Sequence, residues 1–172
     1  MQEGRRWAEV LRVVPDGWFS YDFTVFDSVG EPVAHADLAN WRENAWFEVE
    51  GTRYEARHET WAKEFTLERE DGQAILSAEK PSALKDRFAF VHRDNSYELK
   101  KESAWSTAYV LSRDGVGHVG SIKRKSFFNR ELTVDLPEEL PLEAQVFVVW
   151  LVTILGRRDD SAAASSGAGA GS

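Results

Sequence analysis

The chain contains no cysteine. That removes disulfides, thiolate nucleophiles and cysteine-based zinc sites together, and it suits a reducing compartment. Long apolar runs are also missing. The longest, Val146 to Leu155 with Thr153 inside it, falls well short of the about 20 residues that span a bilayer. Residues 1–12 show no apolar stretch followed by small residues, so no signal peptide is expected and the expected location is cytoplasmic. Positive charge is scarce: 21 Lys and Arg stand against 29 Asp and Glu, for a net charge of -8. Such a field repels a polyanion, which argues against broad nucleic-acid binding. The glycines form no Walker pattern, and no acidic loop has calcium-binding spacing. None of His35, His58, His92 and His118 pairs at a recognised metal-ligand spacing. No cofactor or metal is expected.

What the chain does have is aromatic bulk and regular turns. Seven Trp and ten Phe in 172 residues are enough to fill a wide core. Turn signals stand at Asp16-Gly17, Val29-Gly30, Glu50-Gly51, Asp71-Gly72, Asp94-Asn95 and Asp114-Gly115. From the second onward they recur at roughly the length of one hairpin with its connections, about 21 residues. Between them apolar and polar residues alternate, as in Tyr21, Phe23 and Val25 or Ala45, Phe47 and Val49. Period two marks strands with one buried face. The pattern predicts twelve strands, over residues 7–14, 20–26, 32–38, 44–50, 52–58, 63–69, 73–79, 85–92, 96–101, 106–112, 116–122 and 127–135. A short helix is the alternative for the first.

The texture changes at residues 135–141, where two prolines end the ladder. Pro141 and Glu143 suit a helix start; Gly156, Arg157 and Arg158 suit its end. The spacing predicts a helix over about 141–155, although its β-branched content also fits a buried strand. Residues 161–172 hold only Ser, Ala and Gly, which cannot offset their ordering entropy, so residues 159–172 read as a disordered tail. The helix is apolar all round and must be enclosed. Twelve strands in an open sheet leave edges, and closing them makes a barrel too wide for side chains alone to fill. Each problem solves the other. The expected fold is a mainly β, closed antiparallel barrel of about twelve strands around a C-terminal apolar helix, formed by residues 1–158.

Residues 23–30 (FTVFDSVG), 65–72 (FTLEREDG) and 136–150 (LPEELPLEAQVFVVW), with this element order, resemble the tubby C-terminal-like superfamily. That group includes Tubby domains, phospholipid scramblases and LURP-one-related proteins; the nearest likeness is to LURP-one-related and uncharacterised bacterial members. The resemblance covers roughly residues 7–158. It implies a non-catalytic domain that meets membrane phospholipid or phosphoinositide headgroups or a membrane-linked protein. The cysteine-rich palmitoylation segment of scramblases is missing here.

The candidate lipid-headgroup site is Lys123, Arg124, Lys125 and Arg130 with Phe127, read as a hairpin loop at 123–126. Residues 113–130 carry five positive side chains and one negative. Basic residues suit headgroup phosphates and Phe127 suits the interface; the plainer reading is a solvated loop that protects a sheet edge. Lys80, Lys85 and Arg87, and Lys100 with Lys101, are weaker clusters of the same kind. His35 and Asp37 share a strand face but lack a nucleophile. Glu138, Glu139 and Glu143 favour the helix start. Trp150 belongs in the core, and Trp41 and Trp46 bracket a loop and a strand. Two other functions remain open: a carrier of a small apolar ligand inside the barrel, or a protein-binding scaffold.

Overall fold

The computed structural model describes residues 10–18, 20–38, 43–59, 61, 63–80, 87–125 and 129–166, apart from the side chains of 163 and 166. Twelve strands close into an antiparallel barrel: β1 Leu11–Pro15, β2 Phe23–Phe26, β3 Pro32–Leu38, β4 Ala45–Val49, β5 Thr52–Glu59, β6 Glu64–Arg69, β7 Ala74–Glu79, β8 Arg87–His92, β9 Asn95–Lys101, β10 Tyr109–Arg113, β11 Gly117–Arg124 and β12 Leu132–Asp135. Each strand pairs with its sequence neighbours. The barrel closes where β1 meets β12, with Leu11 opposite Val134. The final element, α1 (Leu142–Ser166), runs up the middle.

Alternation in the sequence becomes inside and outside here. β4 reads buried-exposed-buried-exposed-buried, with Ala45, Phe47 and Val49 inward. The apolar inward residues of the twelve strands and the apolar helix residues between Ala144 and Leu155 form one core cluster. Phe47, Phe65 and Phe147 surround Trp150, with ring centroids 6.2, 5.8 and 5.4 Å away. Trp150 is fully buried, and burial of four such rings supplies a large share of the driving force.

An up-and-down barrel sends alternate connections to opposite ends. One end is closed by tight turns. Glu50 and Gly51 both have positive φ, as the two-residue turn joining β4 and β5 requires. The turn between β8 and β9 uses Arg93 and Asp94, both at positive φ, so Asn95 opens β9 opposite His92 and does not belong to the turn. Bulges at Val25/Phe26, Leu67/Glu68 and Leu111/Ser112 fall toward this end, where they increase the strand twist. The chain enters α1 here, through residues 136–141, with Ala144 and Gln145 donating to the Pro141 carbonyl. Longer connections, at 16–22, 102–108 and 125–131 among others, gather at the opposite end, from which α1 emerges.

Three expectations need correction. β2 begins at Phe23 and β12 at Leu132, because the carbonyls of residues 17, 18 and 20 and the segment around Arg130 bind each other instead of a ladder; β1 begins at Leu11, and residues 7–9 lie outside the described residues. The helix does not stop at 155. Gly156 lacks the positive φ of a capping glycine, and α1 continues to Ser166, so residues 159–166 are helical and not a disordered tail. Ala162 favours helix, and long-range ion pairs hold the extension in place: Arg158 to Glu43 and Lys101 to Asp159. Residues 167–172 lie outside the described residues.

Gly120 of β11 has no room for a side chain: a Cβ would lie 2.6 Å from the Asp135 carbonyl oxygen and 3.1 Å from the Leu136 Cα. Two substitutions test this core by urea denaturation. Trp150→Ala is expected to lower stability by about 3–5 kcal/mol, and Gly120→Ala by about 1–3 kcal/mol through overpacking against backbone. Unchanged midpoints would contradict the enclosed helix and the close strand approach respectively.

Candidate functional site

The helix-exit end carries most of the unusual chemistry. Trp18, Trp61 and Trp105 are 86%, 100% and 96% exposed. They sit in the β1–β2, β5–β6 and β9–β10 connections, all on this end. Large rings left in water at one pole are not a packing outcome, since the core is already filled.

At the same end lies a cleft of about 180 Å³ between α1 and the mouth of the barrel. Its floor is apolar: Val13, Phe23, Leu132 and Val152. Its rim is charged, with Lys101, Arg124, Arg130 and Arg157 against Asp159 and Asp160. Strand parity explains two of these cations. Lys101 follows the inward residues Tyr97 and Leu99 on β9, and Arg124 follows inward Gly120 and Ile122 on β11. Each is the last inward position of its strand and emerges at the mouth. Arg130 and Arg157 both lie over the Tyr21 ring, 5.2 and 5.0 Å from its centroid. Gly156 lines the cleft too, and the space beside it is open.

The predicted cluster is therefore rearranged. Lys123 and Arg124 are not in a hairpin loop: they end β11, paired with Thr133 and Leu132. Being neighbours on a strand, they face opposite ways, Lys123 to solvent and Arg124 into the cleft. Lys125 follows the strand and pairs with Glu131 at 3.2 Å. Arg130 turns back on the β1–β2 connection, where its Nη2 donates to the carbonyls of Gly17, Trp18 and Ser20 at 2.6, 2.9 and 2.7 Å. It positions that loop. Phe127 lies outside the described residues, as do Lys85 and Trp41.

The weaker candidates are ordinary surface pairs. Arg87 and Lys100 share Glu98, and Lys101 binds Asp159. His35 bonds Asp16 across the sheet at 2.8 Å and not Asp37. Arg113 binds Glu139. Trp46 is covered by the Arg53 guanidinium. No group of three metal-ligating side chains occurs among the described residues.

A second feature of this end escaped the sequence. Glu43 accepts both arms of Arg158, at 2.7 and 2.6 Å, and also meets His58 Nδ1 at 2.5 Å. His58 stacks on Phe65, 4.2 Å between centroids. Burial alone would raise the Glu43 pKa, but the Arg158 hydrogen bond and charge, aided by His58, hold it below its ordinary value. Burial pushes His58 the other way from its partner: desolvation, with the Arg158 charge, lowers its pKa despite Glu43. His58 is thus neutral near pH 7, and its N–H donates to the carboxylate. The triad latches α1, after it leaves the barrel, to the β3–β4 connection and β5.

No family model and no curated protein matches this sequence. The fold is similar to that of an Arabidopsis thaliana protein solved by X-ray crystallography. The TM-score is 0.57 at 13% identity, over 88% of this chain and 91% of that one. At that identity the likeness establishes shared architecture alone.

The latch has a pH signature. Both depressed pKa values give stability that is present at neutral pH. It begins to fall as pH drops below the ordinary histidine value of 6.5 and falls further as Glu43 protonates, below its ordinary 4.5. Unfolding midpoints measured between about pH 7.5 and pH 4 should therefore drop more steeply for the native chain than for His58→Gln, which removes the histidine titration and leaves Glu43 with Arg158. Parallel curves would remove the latch.

Proposed function

We propose that this barrel is a non-catalytic domain that associates with anionic phospholipid surfaces, docking through the end where α1 emerges. The observation that carries the reading is the placement of Trp18, Trp61 and Trp105, nearly fully exposed, on that one end. Indole rings favour the headgroup region, where an apolar face and a polar N–H are both accommodated. Lys123 and Lys125 stand on the same end with exposed side chains. Basic residues near an anionic surface contribute about 1 kcal/mol each. The net charge of -8 opposes approach in other orientations, so the same field that disfavours general adhesion favours this pole.

The resemblance to the tubby C-terminal-like superfamily implies the same class of activity and supports the reading. So does the helix: it occupies the axis of the barrel, the space that a carrier of apolar ligands would need. No described helix is long and apolar enough to cross a membrane, so docking of this kind is peripheral. Binding of a membrane-linked protein at the same end is the second reading, favoured by the same exposed rings.

Co-sedimentation with phosphatidylcholine vesicles, with and without phosphatidylglycerol, tests the proposal. Binding is expected on the anionic vesicles at low salt and is expected to weaken as salt rises. Replacing Trp18, Trp61 and Trp105 together by serine should reduce it about tenfold or more, and Lys123→Gln with Lys125→Gln by a further several-fold. Equal recovery with neutral and anionic vesicles, or no change in the triple variant, would sink it.

A further inference from the structure

We infer that the mouth cleft is a binding site for a phosphate monoester, either in a lipid headgroup or in a small soluble ester. The lipid form rests on the membrane reading above; the soluble form does not. Arg124 is the central observation. It is half-buried at the inward end of β11, lines the cleft, and has neither a hydrogen-bond nor an ion-pair partner among the described residues. A partly desolvated guanidinium without an anion is costly, and its fork matches phosphate oxygens.

The surroundings define the ligand. Arg130 and Arg157 share the Tyr21 ring, which brings two more positive charges to the same wall. Four cations stand against Asp159 and Asp160, so the cleft carries a formal +2 in a chain of -8. A phosphate monoester near neutral pH carries about -1.5 to -2 and offers three acceptor oxygens. It matches the charge that a carboxylate or a phosphodiester, at about -1, leaves half unmet. Size agrees. The volume of about 180 Å³ admits a phosphate with the small alcohol that bears it. The apolar floor of Val13, Phe23 and Leu132 faces the carbon side of such an ester. Gly156 keeps the entrance open, because a side chain there would project into the space it lines.

The test uses the full chain. Glycerol 3-phosphate and inorganic phosphate are titrated and followed by amide NMR. Vesicles of phosphatidylcholine with phosphatidic acid, a monoester, are compared with vesicles carrying phosphatidylglycerol, a diester. Saturable shifts are expected around Gly156, Arg124 and Asp160. Arg124→Gln is expected to weaken glycerol 3-phosphate about tenfold and to abolish the preference for phosphatidic acid. Gly156→Leu keeps every charge and improves helix propensity, so it folds, yet it should block the cleft. Arg69→Gln, exposed at the opposite end of the barrel, should leave glycerol 3-phosphate affinity unchanged. Absence of saturable shifts, or native affinity in both Arg124→Gln and Gly156→Leu, overturns the site. Native binding to phosphatidylglycerol vesicles with no glycerol 3-phosphate binding removes the cleft and leaves the membrane reading standing. The reverse pattern keeps the cleft for a soluble ester and removes the membrane.

Discussion

Everything in this molecule depends on one mutual enclosure: a helix too apolar for water fills a barrel too wide to fill itself. From Val146 to Leu155 only Thr153 is not fully buried, and it satisfies its hydroxyl on the Val149 carbonyl. The helix can therefore face twelve apolar strand surfaces, with the Trp150 Nε1–H left as a buried donor without a partner among the described residues. The wide barrel gains in return a solid centre of interlocked rings, Phe47, Phe65 and Phe147 about Trp150. Neither part has an alternative partner of comparable area in the chain.

With the axis occupied, recognition is left to the ends and the outer wall, and the ends are unlike. At the entry end the strands reverse in tight turns and the chain threads through residues 136–141. At the exit end the helix outruns the barrel, and its last turns meet the rim through Arg158 and Asp159. That overrun builds the cleft: one wall is helix, the other is the ends of β1, β9, β11 and β12. Inward strand positions that are apolar within the barrel become Lys101 and Arg124 where water begins. The chemistry changes where the lumen stops, which is why apolar floor and charged rim occur side by side.

Most of the fold was legible because two simple periods carry it. Twelve strands follow from alternation and recurrent turns, and the central helix from an apolar run with no wet face. What was not legible is non-local. Gly156 with two arginines looks like a helix end, but the ion pairs that prolong α1 join residues far apart in the chain, Glu43 with Arg158 and Lys101 with Asp159. The basic run 123–125 looked like one patch because charges were counted along the chain. Strand parity splits it between two faces, and Glu131, one residue beyond the counted window, takes Lys125. Trp18, Trp61 and Trp105 are scattered in sequence. An up-and-down order places every second connection together, so topology alone would have assembled them, along with the cations at the last inward positions.

The order of elements also bears on how the protein is made. The filler of the barrel is the final element, and closure joins Leu11 to Val134, near the two extremes of the strand series. Synthesis at about 5–20 residues per second presents the strands over several seconds before the helix exists. During that interval the lining of Phe47, Phe65, Phe88 and Leu99 has nothing to pack against. The polypeptide therefore passes through an incompletely zipped form whose apolar lining stays uncovered until α1 arrives.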